Sequence, residues 1–231
     1  MRTIGLLGGM SWESSLLYYR LINEDVRQRL GGLSSAKVLL YSVDFAPLER
    51  MQAEGDWDAA GRVLAEAAAS LERGGADFLV LCTNTLHKVP SANEARVRLP
   101  QLHIADATGA AVRAAGVRRV GLLGTRFTME QPFYRQRLEQ QFGLAVLTPP
   151  LSDRERIHAV IYQELCLGQL RDASRAEYRR IAAELAASGA EGLVFGCTEI
   201  GLLLGPEDVA IPVFDTTRLH ARTAVDRALA P

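Results

Sequence analysis

Short apolar runs alternate with longer amphipathic stretches along nearly the whole chain. The apolar runs fall at residues 4–7, 38–43, 77–81, 120–123, 145–147, 193–195 and 211–214. Runs this short, with little polar alternation, read as strands buried on both faces. The intervening segments carry helical periodicity. In 12–30, Leu16, Leu17, Tyr19 and Ile22 lie near one face, and Gly31-Gly32 closes the helix. Segment 57–73 is Ala-rich and helical, and 129–142, 153–165, 175–188 and 217–229 read as further helices. Residues 44–54 read as a loop or short helix, and Ser91 as the opening of another short helix. Strand–helix alternation throughout predicts an α/β protein built of parallel sheets covered by helices.

The pattern repeats itself. Gly75-Ala76-Asp77-Phe78-Leu79-Val80-Leu81-Cys82-Thr83-Asn84-Thr85 returns without a gap as Gly189-Ala190-Glu191-Gly192-Leu193-Val194-Phe195-Gly196-Cys197-Thr198-Glu199, at an offset of 114. Ile4–Gly9 matches Val120–Thr125 at an offset of 116, and Ile104-Ala105-Asp106-Ala107-Thr108 matches Val213-Phe214-Asp215-Thr216-Thr217 at 109. A period this long is no solenoid. It predicts two pseudo-symmetric α/β lobes, residues 1–105 with 215–231 and residues 106–214, with the active site in the cleft between them. The terminal helix 217–229 is expected to pack back on the first lobe.

Composition narrows the function. The chain has 231 residues, 48% hydrophobic and 23% charged, with a formal net charge of −1. That balance is ordinary for a globular protein and offers no electrostatic footprint for nucleic acid. No apolar run approaches the roughly 20 residues of a membrane span. The amino terminus enters a strand without the features of a leader peptide, and a reducing cytoplasm fits the cysteine usage. Three cysteines without metal-type spacing argue against a disulfide framework or a metal site. Lysine occurs only at Lys37 and Lys88. Lys88 is the sole Schiff-base candidate near the motif, and its commoner role is a solvated helix residue, so no pyridoxal phosphate or other cofactor is expected.

Each repeated segment is a turn, an apolar run and a polar cluster, a strand delivering polar groups to its carboxyl end, where open α/β sheets bind ligands. The alignment sets Thr83, not Cys82, opposite Cys197. Proton-transfer groups facing each other across a small substrate suggest inversion of a carbon centre. Cys197 stands at a strand-to-helix junction, where backbone N–H groups and a helix dipole are expected to lower its pKa. Asn84, Thr85 and Thr198 offer groups for a carboxylate, with helix capping as the plain alternative. Cys82 points the other way along a regular strand and reads as core. The turn Gly8-Gly9-Met10-Ser11 lacks nucleotide-binding spacing and reads as a place where backbone approaches a small ligand. His87 either orients or protonates something, or is a partly buried histidine at a helix start.

Gly8-Gly9-Met10, Thr83-Asn84-Thr85-Leu86-His87 and Gly196-Cys197-Thr198-Glu199 together resemble the aspartate/glutamate racemase family, in the right order over essentially the whole chain. The family's usual motifs are Cys-Asn-Thr and Gly-Cys-Thr. The first motif here carries threonine, as in the subgroup specific for L-aspartate and L-glutamate, which has a Thr/Cys pair. The resemblance implies catalysis by Thr83 and Cys197 without a cofactor. It implies substrate contacts from Met10, Ser11, Gln52, Asn84, Thr85, Thr128, Glu164 and Thr198. Gln52 matches the Thr/Cys subgroup better than nearby Arg50, and Cys166 stands where some aspartate racemases carry lysine.

The preferred reading is a cofactor-independent racemase of acidic amino acids with a small-molecule substrate, no nucleic-acid or membrane partner, and an oligomeric state left open, a homodimer included. A decarboxylase or cis–trans isomerase of small dicarboxylates on the same fold is the first alternative. A non-catalytic amino-acid-binding protein is the second.

Overall fold

The computed structural model describes residues 1–89 and 97–231; the short helix expected at Ser91 lies outside the described residues. The chain divides into two compact units, Met1–His103 with His220–Pro231, and Ile104–Leu219.

The first unit holds strands β1 (Ile4–Gly8), β2 (Val38–Ser42), β3 (Phe78–Leu81) and β4 (Gln101–Leu102), in the order β2-β1-β3-β4, all parallel. Its helices are α1 (Trp12–Leu30), α2 (Phe45–Glu54) and α3 (Trp57–Arg73). Side chains alternate across a strand, and the two faces divide accordingly. Leu7, Leu79 and Leu81 pack with Leu48 of α2 and with Ala60, Leu64 and Ala68 of α3. Ile4, Leu6, Phe78, Val80 and Cys82 pack with Tyr18, Ile22 and Val26 of α1.

The second unit repeats the plan. Strands β5 (Arg119–Gly124), β6 (Ala145–Leu147), β7 (Gly192–Gly196) and β8 (Val213–Asp215) run parallel in the order β6-β5-β7-β8. Around them are α4 (Ile104–Ala114), α5 (Arg126–Glu130), α6 (Pro132–Phe142), α7 (Leu151–Gln163), α8 (Asp172–Ala187) and α9 (Ile200–Leu203). The last helix, α10 (Thr216–Leu229), starts in the second unit. Its Ala221, Ala224, Val225 and Ala228 complete the first unit's core beside α1, and Arg29 bridges Asp25 of α1 to Asp226 of α10.

The repeated Gly-Ala-Asp/Glu turn has a physical basis. Gly75 and Gly189 sit at φ of 90° and 95°, a region favourable only to glycine. The carboxylate that follows each turn ties the start of the neighbouring strand: Asp77 accepts from the Thr3 amide, and Glu191 from the Arg118 and Arg119 amides.

Two readings of the pattern need correction. The stretch from Ile104 is helix α4, not the counterpart of β8. Register makes Leu102, paired with Val80, the counterpart of Phe214, paired with Val194, so the matched pentapeptides were misaligned. The expected helix 129–142 is two helices, because Gln131 precedes Pro132 and lies in the extended region at φ −86°, ψ 148°; proline disfavours helical backbone in the residue before it. Of the two options for 44–54, loop or short helix, the chain takes the helix, α2, capped by Asp44.

Candidate active site

In each sheet the chain leaves the first strand toward one neighbour and returns on its other side. The switch point therefore lies between β1 and β3, and between β5 and β7, where α/β sheets open a crevice at their carboxyl ends. The glycine turn and Thr83-Asn84-Thr85 leave the first switch point; Thr125 and Cys197-Thr198-Glu199 leave the second. Leu81 pairs with Leu7, and Phe195 with Leu123. Two residues beyond these pairs, Thr83 and Cys197 hold equivalent places, and both are 8% exposed.

The first site is built on a close-packed turn. Gly9 has φ 96° and a Cβ there would collide with the Val43 carbonyl. Met10 is buried in the α2–α3 face of the core. Ser11 caps α1 by accepting from the Ser14 amide at 3.4 Å, a contact of the kind that contributes about 1 kcal/mol. Ser15 accepts from the Gly9 amide at 2.7 Å. Gln52 is buried on α2, whereas Arg50 is exposed. Asn84 and Thr85 are buried. Cys82 is enclosed in the α1 and α10 face, and burial alone pushes its thiol well above the ordinary range. Lys88 is not a solvated side chain: it is half-buried and its ammonium lies 3.7 Å from the centre of the Trp57 ring.

The second site repeats the cap. Thr125 accepts from the Thr128 amide at 3.3 Å, at the position of Ser11 relative to Ser14. Thr128 is fully enclosed and packs at the carboxyl ends of β5 and β7, where Cβ atoms built on Gly124 and Gly196 would touch it. Glu164 ends α7, buried, and accepts from Ser174 Oγ at 2.6 Å. Cys166 is half-buried in a 3-10 turn, Leu165–Leu167.

Cys197 overturns one expectation. Its pKa is raised, not lowered. Burial is the largest cause, and the Glu199 carboxylate is the next. The helix that follows, α9, is four residues long, so its dipole offers little against these two effects. Cys197 Sγ donates to Glu199 Oε2 at 2.9 Å, and Thr198 Oγ1 donates to the same oxygen at 2.6 Å. Glu199 is the residue the motif reading passed over. It stands at the repeat position of Thr85, and that exchange of hydroxyl for carboxylate was the available signal.

Among the described residues no cluster of three or more His, Cys, Asp or Glu is arranged for a metal ion, and no helix is long and apolar enough to cross a membrane.

Two parallel sheets with matching switch points thus end one in Thr-Asn-Thr and the other in Cys-Thr-Glu. The chain belongs to the Asp/Glu/Hydantoin racemase family, whose model matches residues 7–224. A Yersinia pestis chain, assigned by inference to the Asp/Glu racemases, is 53% identical over 100% of both chains with a TM-score of 0.91. An aspartate racemase homologue from Pyrococcus horikoshii OT3 is 33% identical, again over 100% of both, with a TM-score of 0.84. The broad specificity amino-acid racemase RacX of Bacillus subtilis (strain 168) is 24% identical over 98% of each chain.

Proposed function

We propose that the protein racemises acidic amino acids, aspartate or glutamate, by proton transfer at Cα without an added cofactor. The observation that carries this reading is the register equivalence of Thr83 and Cys197, a hydroxyl and a thiol at the same point of each sheet. Cys197 passes its proton to Glu199 and, as thiolate, takes the α-proton. Thr83 returns a proton on the other face, and solvent resets the pair. In the reverse direction the roles exchange. Ser11, Asn84, Thr85 and Thr198, with the amides beside them, hold the α-carboxylate and stabilise the charge that develops on it. Met10 and Gln52 belong to the first unit's share of the substrate site, Glu164 and Thr128 to the second's, with Thr128 acting by holding the ends of β5 and β7.

Incubation with each L- and D-amino acid in D₂O, followed by NMR and chiral chromatography, tests the reading. Loss of the α-proton with appearance of the enantiomer is expected for aspartate or glutamate. Carbon dioxide release instead would assign the chain to decarboxylation. Saturable binding without exchange would make it a binding protein.

A further inference from the structure

A buried polar group lies directly behind Thr83. His87 stands in the 3-10 turn Thr85–Lys88, and its Nδ1 is 2.8 Å from the Thr83 carbonyl oxygen. A carbonyl only accepts, so Nδ1 carries the hydrogen. The His87 ring packs against His103, with centroids 4.5 Å apart, and meets His220 at 5.9 Å. His220 is fixed in turn. Its Nε2 is 3.1 Å from the Leu102 carbonyl and must donate, which leaves Nδ1 to accept from the Tyr18 hydroxyl at 2.9 Å. Burial, with His87 nearby, lowers the His220 pKa to about 3, so this support stays neutral at working pH. The Thr83 amide donates to the Leu81 carbonyl at 2.9 Å. Thr83 is thus held by its N–H on one side and its C=O on the other.

The second unit has a different arrangement at the same place. The repeat sets Gly201 opposite His87, and a Cβ on Gly201 would come within 2.8 Å of Asp215 Oδ2. Asp215 itself occupies the register position of His103, one residue beyond the Leu102 and Phe214 pair. The Cys197 carbonyl takes a main-chain bond from the Ile200 amide at 3.3 Å. The Thr83 carbonyl is held by a side chain, the Cys197 carbonyl by main chain.

We infer that His87 is a positioning residue for the Thr83 hydroxyl, acting through the Nδ1–H bond to the Thr83 carbonyl; the inference rests on the racemase reading above. Fixing that carbonyl fixes the backbone that aims Oγ1. A threonine hydroxyl is a weak proton-transfer group, and misplacement by about 1 Å costs on the order of 10²-fold in rate. His87 therefore serves the Thr83 half of the reaction and leaves the Cys197 half alone.

The test compares His87→Phe, which keeps a ring and removes the donor, with His87→Asn, whose amide nitrogen stands close to the place of Nδ1. Net racemisation is measured beside one-sided α-proton exchange in D₂O. His87→Phe is expected to lower kcat for racemisation at least tenfold. KM and one-sided exchange through Cys197 should stay within about threefold of wild type, and His87→Asn should recover most of the loss. A parallel fall of exchange and racemisation, no fall in either, or no rescue by asparagine overturns the inference. A wild type that exchanges no α-proton from any amino acid sinks the racemase reading instead. The positioning role is then decided by amide hydrogen exchange over residues 83–88. Faster exchange in His87→Phe but not in His87→Asn supports it, and unchanged exchange in both overturns it.

Discussion

Cys197 Sγ donates a hydrogen bond to Glu199 Oε2 across 2.9 Å, where burial already raises the thiol's pKa. The resting thiol is therefore protonated, and the group that suppresses its ionisation is also the group placed to receive its proton. Glu199→Gln separates the two effects. Removing the carboxylate's charge should lower the thiol pKa, so alkylation by iodoacetamide near neutral pH should become faster. Racemisation should nevertheless fall by roughly 10²-fold, the scale of a lost proton-transfer partner. Slower alkylation in the variant would show that the carboxylate does not oppose thiolate formation.

Cys197→Ser keeps the size of the side chain and raises the barrier to ionisation. Turnover should collapse while the urea midpoint stays close to wild type. Retention of more than about a tenth of kcat, a loss below roughly 1.4 kcal/mol, would remove Cys197 from the proton-transfer step.

Thr83→Ala should abolish net racemisation and leave α-proton exchange of the enantiomer served by Cys197, which resemblance to the Thr/Cys subgroup makes the L-form. In the wild type kcat and KM should differ between enantiomers while kcat/KM stays equal, since enantiomers have equal free energy. Chiral assay of initial rates in both directions checks this. Equal constants in both directions, with no effect of Thr83→Ala, would reduce Thr83 to a structural cap.

His220 links stability to acid. Its pKa is about 3 in the folded chain against an ordinary 6.5, chiefly through burial. The unfolded chain takes up the proton first as pH falls. The stabilisation is complete above about pH 6.5 and is lost progressively toward pH 3, by at most about 1.4 kcal/mol per pH unit. Urea unfolding at pH 7, 6 and 5 should show a declining midpoint. In His220→Gln the decline should be shallower, because the substituted side chain does not titrate. Equal slopes in the two proteins would remove His220 from the acid response.

Gly124→Ala tests the packing beneath Cys197. A Cβ there would lie 2.7 Å from the Gly196 carbonyl oxygen, a main-chain atom that cannot rotate aside. A loss of about 1–3 kcal/mol in stability is expected, the usual scale of overpacking. Because Gly196 precedes Cys197, kcat should fall further than in Gly61→Ala, where the nearest atom is 3.9 Å away. Unchanged stability and activity would mean that β5 and β7 yield more easily than their packing implies.

The strands at 4–7, 120–123 and 193–195 were legible because runs buried on both faces have no polar residues to blur them, and the duplication set Thr83 opposite Cys197, as the strand registers do. β4 was not legible. Gln101–Leu102 is a half-buried pair with no periodicity to read, and the Ala-rich start of α4 then drew the alignment three residues off register. The environment of Cys197 failed for a different reason. A thiol at a strand end suggests a helix dipole, but α9 is too short to supply one, and a carboxylate two residues away in sequence turns back onto the sulfur. His220 is 133 residues from His87 in sequence, a separation that no local pattern spans, so their ring contact emerges only from the packing of α10.

That packing also sets an order of events during synthesis. The second unit is one continuous stretch of chain, whereas the first borrows Ala221, Ala224, Val225 and Ala228 from α10. At a ribosomal rate of about 5–20 residues per second, the first unit's strands wait on the order of ten seconds with one face of their sheet covered by α1 but not by α10. During that wait the chain produces β5 and β7, whose sequences mimic β1 and β3. A duplicated fold closed by its last helix therefore carries its own competing partners, and a chaperone that shields residues 1–103 until α10 emerges would raise the yield of correctly paired sheets.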